Sequence, residues 1–130
     1  MASASVAPAQ RVLPQRGPCL HGAGETREER LLRQKAVELA VDINRAQGLA
    51  RRFGPRPGQG AYLPLDQLFN VPVPPEGFRV QLHTDGMTYL FSIKDTRDPC
   101  GYAVFSDQSA DIYEAIPSAP RVGPKLLTAK

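Results

Sequence analysis

Residues 26–55 read TREERLLRQKAVELAVDINRAQGLARRFGP, and this stretch decides the fold. Thr26 and Glu29 have the spacing of a capping box at the start of a helix. In this motif the Thr side chain accepts the backbone N–H of the Glu, and the Glu side chain accepts the backbone N–H of the Thr. The Gly-Pro pair at the end of the stretch is typical of a helix stop. The pattern predicts one helix from about Arg27 to Arg52.

Apolar residues recur along this helix at alternating spacings of four and three. Such spacing places them on one face of an α-helix, which is the pattern of an amphipathic helix. Because several of them are small alanines, close packing against a sheet is favoured. The residues of this stripe are Leu32, Ala36, Leu39, Ile43, Ala46, Ala50 and Phe53.

The second half of the chain has the alternation of β-strands. Phe78, Val80 and Leu82 alternate with polar residues, and a Thr-Asp-Gly-Met turn then leads into a second β-rich run. Residues 102–105 and 111–116 are predicted to form a third and a fourth strand, which gives an antiparallel meander of four strands. Between helix and sheet, residues 54–77 form a connection rich in Pro and Gly, with a short helical turn after Pro64.

These patterns predict an α+β fold, in which one long N-terminal amphipathic helix packs on a four-stranded antiparallel β-meander. Residues 1–25 are interpreted as a disordered tail because Pro and Gly interrupt every potential element. Residues 26–117 form the folded domain, and residues 118–130 are interpreted as a disordered C-terminal tail.

Composition favours a binding or packing role over nucleic-acid recognition. The chain of 130 residues has a formal net charge of +3. Its arginines are dispersed, whereas nucleic-acid binding surfaces concentrate cations on one face. No stretch approaches the ~18 apolar residues that span a bilayer, and no export signal is evident. We therefore expect a protein partner or self-association, with no nucleic acid, no membrane span and no identified small-molecule substrate.

Two cysteines, Cys19 and Cys100, are too far apart in sequence to form a zinc ribbon motif. We expect two independent thiols. The alternative is a bridge between them, which would tie the N-terminal tail to the sheet and imply an oxidising compartment.

The polar residues supply no evident catalytic set. His21 and His83 are predicted to be surface polar residues, because no metal-ligand spacing surrounds them. Asp95 and Asp98 are expected to cap turns, with a calcium site as the alternative. A small soluble enzyme or ligand-binding protein using Cys100 and His83 remains a second hypothesis. A weak nucleic-acid binder acting through the Arg-rich tail and helix is a third. No catalytic residue, cofactor or metal is assigned.

Two short strings resemble type IV pilins and the pseudopilins of type II secretion. Residues 43–47 read INRAQ, similar to a string in the latter part of the first pilin helix. Residues 105–109 read FSDQS and precede Ile112, similar to a string that closes the pilin sheet. The resemblance covers about residues 32–116. It implies a non-enzymatic structural or protein-interaction domain, linked to a type IV pilus or type II secretion assembly.

The chain departs from the pattern of that family before its helix. Pilins begin with a cleaved leader and a hydrophobic half-helix that carries a glutamate, and this sequence contains no such segment. No assembly residue is therefore transferred from the family. The resemblance implies the cell envelope or periplasm, and without it a cytoplasmic location is expected.

The expected partner surface combines the free side of the helix with the following connection. A single four-stranded sheet covers only one side of such a helix, so part of the apolar face is left for a partner. The residues predicted for this surface are Leu31, Val37, Val41, Tyr62, Leu65, Leu68 and Phe69.

Overall fold

The computed structural model describes residues 19–53, 60–115 and 125–127. Within these ranges the chain forms one α-helix, one 3₁₀ turn and one antiparallel sheet. The elements, in chain order, are helix α1 (Arg27–Arg52), the 3₁₀ turn (Leu65–Gln67), and strands β1 (Phe78–Thr84), β2 (Tyr89–Asp95), β3 (Ala103–Asp107), β4 (Ile112–Ala115) and β5 (Lys125–Leu127).

Helix α1 has the bounds predicted from the sequence. Thr26 is its N-cap and its hydroxyl accepts a hydrogen bond from the Glu29 N–H at 3.1 Å. The second half of the capping box is replaced, because the Glu29 carboxylate instead accepts a bond from Arg97. At the other end, the Phe53 N–H donates to the Leu49 carbonyl at 2.8 Å and closes the last turn.

The predicted stripe is the core-facing side of α1 over most of its length. The buried residues of the helix are Ala36, Leu39, Ala40, Ile43, Ala46 and Gln47. The prediction is wrong at the end of the stripe, where Phe53 is 67% exposed. Phe53 is the C-cap residue of the helix, and the Arg52 guanidinium lies over its ring, 5.7 Å from the centroid.

The sheet is a simple meander with strand order β1-β2-β3-β4-β5, and every neighbouring pair is antiparallel. Helix α1 lies on one face, across β3 and β4. The register aligns Val80 with Ile93 and Ile93 with Val104, so one row of side chains crosses three strands and faces the helix. A fully buried aliphatic side chain such as Ile93 contributes about 1.5–3 kcal/mol to folding.

A hydrogen-bonded chain joins the helix to the sheet within this core. The Tyr89 hydroxyl donates to the Asn44 side-chain oxygen at 2.6 Å, and the Asn44 amide donates to the Ser106 hydroxyl at 2.9 Å. The Ser106 hydroxyl in turn donates to the Asp111 carbonyl at 2.6 Å. The chain fixes the position of α1 along the strands, because buried polar groups are stable only when partnered.

A buried glutamine of α1 makes two hydrogen bonds to the segment between helix and sheet. Gln47 is fully buried, and its amide nitrogen donates to the Leu63 carbonyl at 2.7 Å while its oxygen accepts the Leu63 N–H at 2.9 Å. The next residue back, Tyr62, donates its N–H to the Gly86 carbonyl in the β1–β2 turn. The predicted helical turn after Pro64 is confirmed as the 3₁₀ turn.

Both predicted tails need correction where the structure describes them. Lys125–Leu127 is a fifth strand that pairs with β4, although residues 118–130 were predicted to be disordered. Residues 19–25 are packed against the sheet, with His21 only 1% exposed, although they were assigned to the N-terminal tail. The remainder of that predicted tail, residues 1–18, lies outside the described residues.

Candidate functional site

A cluster of charged and hydrogen-bonded side chains, most of them buried or partly buried, lies beside the N-terminal half of α1, at the end of the sheet where β2 stops and β3 begins. Three parts of the chain contribute to it: the segment before the helix, the helix itself, and the ends of strands. Its members are His21, Glu25, Glu29, Arg33, Asp95, Arg97, Tyr102 and Glu114.

His21 is at the centre of this cluster. Its Nδ1 lies 2.7 Å from Glu25 Oε2, and its Nε2 lies 2.7 Å from Asp95 Oδ2. The ring packs against Tyr102, with ring centroids 4.5 Å apart. His21 therefore connects the segment before the helix to the end of β2.

Arg33 also forms an ion pair with Glu25. Its Nε and Nη2 donate to the two carboxylate oxygens of Glu25 at 2.8 and 3.0 Å, which is a bidentate fork. Burial alone would raise the pKa of Glu25, but the hydrogen bonds from Arg33 and His21 outweigh it and lower that pKa below its ordinary value. The same fork raises the pKa of Arg33. Both groups are therefore held in their charged forms.

The remaining nitrogen of Arg33 reaches across to β4. Its Nη1 donates to Glu114 Oε2 at 3.1 Å, and the same oxygen accepts the Tyr102 hydroxyl. Burial, together with the neighbouring Glu114 charge, raises the pKa of Tyr102, so the phenol stays protonated and donates. The network thereby links α1 to β3 and β4.

On the other side of His21, Asp95 is held by Arg97. The Arg97 backbone N–H and its Nε donate to Asp95 Oδ1 at 3.0 and 3.2 Å, and its Nη2 donates to Glu29 at 3.2 Å. Burial raises the pKa of Asp95, but the bonds from Arg97 and His21 outweigh this effect, and the net result is a lowered pKa. Arg97 lies over Gly77, where a Cβ atom would come within 2.3 Å of its Nε. A side chain at position 77 would displace the guanidinium.

Ligand-type atoms of His21, Glu29 and Asp95 lie within 4.8 Å of one another, which is close enough to hold a metal ion. The arrangement does not favour one, because the Arg97 guanidinium already bonds both carboxylates and supplies the positive charge. Both nitrogens of His21 are also already engaged. The geometry is that of an ion-pair network that joins elements, in which both carboxylates and both ring nitrogens of His21 already have protein partners.

Beside this cluster, Cys19 and Cys100 form a disulfide, so the expectation of two independent thiols is wrong. Their Cα atoms are 5.3 Å apart, within the usual range for a bridge. The adjacent Asp98 accepts backbone N–H groups from Leu20, Cys100 and Tyr102 at 3.0–3.1 Å. This carboxylate holds both sides of the bridge in place.

These contacts bear on the roles considered above for Cys100, His83, Asp95 and Asp98. Cys100 is bonded to Cys19 and is therefore not a thiolate nucleophile in this oxidised form, and His83 lines a different depression of the surface. Asp98 caps its turn as expected, while Asp95 binds His21 and Arg97 rather than the turn alone. His83 is exposed, as predicted, whereas His21 is buried, contrary to the prediction.

The predicted partner residues separate into two groups. Those that are partly buried against the core are Val37, Val41, Tyr62, Leu65 and Leu68. The two that are largely exposed are Leu31 at 48% and Phe69 at 80%. Most of the predicted surface is therefore the flank of the core.

A more exposed apolar surface lies at the C-terminal end of α1. We call it the helix-end surface, and its large side chains are Leu49, Phe53 and Phe69, which are 50%, 67% and 80% exposed. They surround a groove of about 340 Å³ that is also lined by Ala46, Ala50, Ala61, Leu63 and Gln67. Sequence analysis identified Phe69 but assigned Phe53 to the core and did not single out Leu49 as a contact residue.

The charged cluster was missed because it joins residues far apart in sequence. Asp95 lies 74 positions from His21, and Glu114 lies 81 positions from Arg33. One local signal was present: His21 and Glu25 are four residues apart and close to Cys19. A buried bridge at Cys19 would have placed both residues against the sheet.

Among the described helices, none is both long enough and apolar enough to cross a membrane. Comparison of the chain with protein-family models, with curated proteins and with solved structures found no match.

Proposed function

We propose that this chain is a non-enzymatic, pilin-like protein-interaction domain of an oxidising compartment such as the cell envelope, and that it associates with further copies of itself. The exposed apolar groove of the helix-end surface is the observation that carries this proposal. Three large apolar side chains around one groove are a feature of interaction sites rather than of scattered surface residues.

Two features support the pilin-like part of the proposal. The strings that resemble pilins meet in space, since Asn44 of the first donates to Ser106 of the second. The Cys19–Cys100 bridge supports an oxidising compartment, because structural disulfides persist there and are rare in reducing cytosol. A subunit of a type IV pilus or type II secretion assembly fits both features.

The shape of the groove favours a second copy as its occupant. Small side chains of Ala46, Ala50 and Ala61 line the groove, while Phe53 and Phe69 project around it. A two-fold interface uses the same patch on both subunits, so it needs projections and depressions together on one surface. The helix-end surface carries both.

The charges beside the groove predict how the association responds to salt. Arg51 and Arg52 are exposed, and neither forms an ion pair with the described residues. Two copies facing each other would bring these cations close together. Added salt screens this repulsion, so we expect it to strengthen self-association.

Sedimentation velocity of the full chain over a dilution series tests the proposal. We expect a concentration-dependent dimer that salt stabilises and that Phe69→Ser weakens. Leu31→Ser is the matched control, because Leu31 is 48% exposed near the opposite, N-terminal end of α1. A strict monomer at every concentration, or equal effects of the two substitutions, would rule out the helix-end surface as a self-association site.

A further inference from the structure

Strand β1 lies at one edge of the sheet and is seven residues long. The opposite edge strand, β5, has only three residues. Long edge strands present a row of backbone donors and acceptors, and proteins usually protect them. The outer side of β1 therefore carries backbone donors and acceptors that need hydrogen-bonding partners.

The register shows which backbone groups of β1 point away from the sheet. The Thr96 N–H donates to the Gly77 carbonyl. The backbone groups of residue 77 and of every second residue after it (79, 81 and 83) therefore point toward β2. Phe78, Val80 and Leu82 then direct their backbone groups outward. The Phe78 N–H donates to the Pro75 carbonyl, but no hydrogen bond from the described residues reaches the outward groups of Val80 and Leu82.

The solvent face of this edge is cationic. Arg79 is exposed and lies directly opposite Lys94 in the register, although like charges in that position repel. Neither side chain forms an ion pair within the described part of the chain. The two cations line a depression of about 540 Å³ together with Gln81 and the turn at residues 98–101, which carries Cys100.

The carboxylates that line this depression do not neutralise these cations. Asp98 lines the same depression, but both of its oxygens accept backbone N–H groups of Leu20, Cys100 and Tyr102. Asp95 also lines it, but its carboxylate is bonded to His21 and Arg97. An external carboxylate placed beside Arg79 would relieve the repulsion and form a charge-assisted pair.

We propose that β1 accepts an added strand from an extended, acidic segment of a partner protein. The outward backbone groups of Val80 and Leu82 pair with the added strand, and carboxylates on its solvent face bind Arg79. Main-chain bonds supply affinity in this mode of recognition, and alternate side chains supply selectivity. This site is separate from the helix-end surface and does not depend on self-association there.

A fluorescein-labelled peptide that alternates Glu and Val tests the proposal, with a peptide that alternates Lys and Val as control. We expect fluorescence anisotropy to detect binding of the Glu peptide only. Arg79→Gln should weaken that binding by about tenfold, the size expected for one charge-assisted hydrogen bond. Arg30→Gln removes an exposed cation from α1 and should leave the affinity unchanged. The charge reversal Arg79→Glu should abolish binding of the Glu peptide, because the new carboxylate would repel the peptide and pair with Lys94 directly opposite.

Amide hydrogen exchange separates strand addition from simple charge attraction. Peptide binding should slow exchange at the Val80 and Leu82 amides, while the Gln81 amide, which already faces β2, should not change. Binding of the Glu peptide without this protection would overturn strand addition, as would failure of the peptide to bind. Protection that appears at high protein concentration without peptide would identify a second copy as the occupant and overturn the acidic partner.

Discussion

At the scale of single residues, His21 has the strongest effect on its surroundings, because it separates two buried carboxylates. Glu25 and Asp95 each contact one nitrogen of its ring, and the ring itself is 1% exposed. Removing a member of a buried charged network leaves its partners uncompensated, and that loss outweighs the contribution of the original contacts.

We predict that His21→Ala lowers the free energy of unfolding by about 3–5 kcal/mol, because Glu25 and Asp95 would lose their shared partner. Urea denaturation followed by circular dichroism measures the change. His83→Ala is the control, since His83 is exposed and its loss should change stability by less than about 0.5 kcal/mol. Similar effects of the two substitutions would contradict the structural role of His21.

Acid should destabilise the protein through the same cluster. Burial raises the folded-state pKa values of Glu25 and Asp95. The hydrogen bonds from Arg33, Arg97 and His21 outweigh burial, so both pKa values are lowered. Their stabilisation is therefore complete above the unfolded pKa values, about 4.3 for Glu and about 3.9 for Asp. It is lost as the pH falls through the lower folded values.

Denaturation midpoints measured from neutral to acid pH test this dependence. Arg33→Met removes the fork on Glu25, so it should raise the folded pKa of Glu25 and flatten the loss of stability in acid. Arg30→Met removes an exposed cation from the same helix and should leave the slope unchanged. If the two variants had equal slopes, Glu25 would not be responsible for the acid sensitivity.

At the scale of elements, the contact between α1 and the following loop depends on Gln47. Its amide occupies both backbone groups of Leu63, much as a neighbouring strand would. The side chain therefore substitutes for secondary structure in a segment that has little of its own. The helix-end surface depends on this contact, because Ala61, Leu63 and Phe69 line its groove.

We predict that Gln47→Ala lowers the free energy of unfolding by about 1–3 kcal/mol, because it leaves the backbone groups of Leu63 without partners. Amide hydrogen exchange at Leu63 should accelerate more than exchange in the sheet. Gln34→Ala changes an exposed glutamine of the same helix and is the control. Unchanged exchange at Leu63 would show that the loop is held by its apolar contacts alone.

At the scale of the whole molecule, the disulfide joins the segment before α1 to the turn between β2 and β3. Cys19 precedes the helix and Cys100 precedes β3, with a sequence separation of 81 residues. A bridge across so long a loop restricts the unfolded chain strongly. It also keeps His21 and Glu25 against the sheet, because they closely follow Cys19 in the chain.

We predict that replacing both cysteines by serine lowers the free energy of unfolding by about 4 kcal/mol, the loop-entropy value for a bridge of this span. Chemical denaturation with and without dithiothreitol measures it. The reductant should destabilise the native chain to the level of the double variant and leave that variant unchanged. Insensitivity of the native chain to reduction would contradict a stabilising bridge.

The long helix and the first four strands were predictable because their information is local. A capping threonine, an apolar repeat and alternating strands each specify one element over a few turns or residues. The stripe prediction failed at Phe53 because periodicity assigns a face to a residue but does not say where the covering sheet ends. The charged cluster was unpredictable for a related reason, since Glu114 and Arg33 meet only after the sheet has packed on the helix.

By itself, the sequence determined the type, order and most boundaries of the elements, because backbone hydrogen bonding and side-chain periodicity operate within each segment. Only the tertiary structure decided the Cys19–Cys100 bridge, the burial of His21 and the edge position of β1 among the described strands. These features depend on which distant segments become neighbours. That choice is made by burial of the apolar core and by the pairing of every charge that burial removes from water.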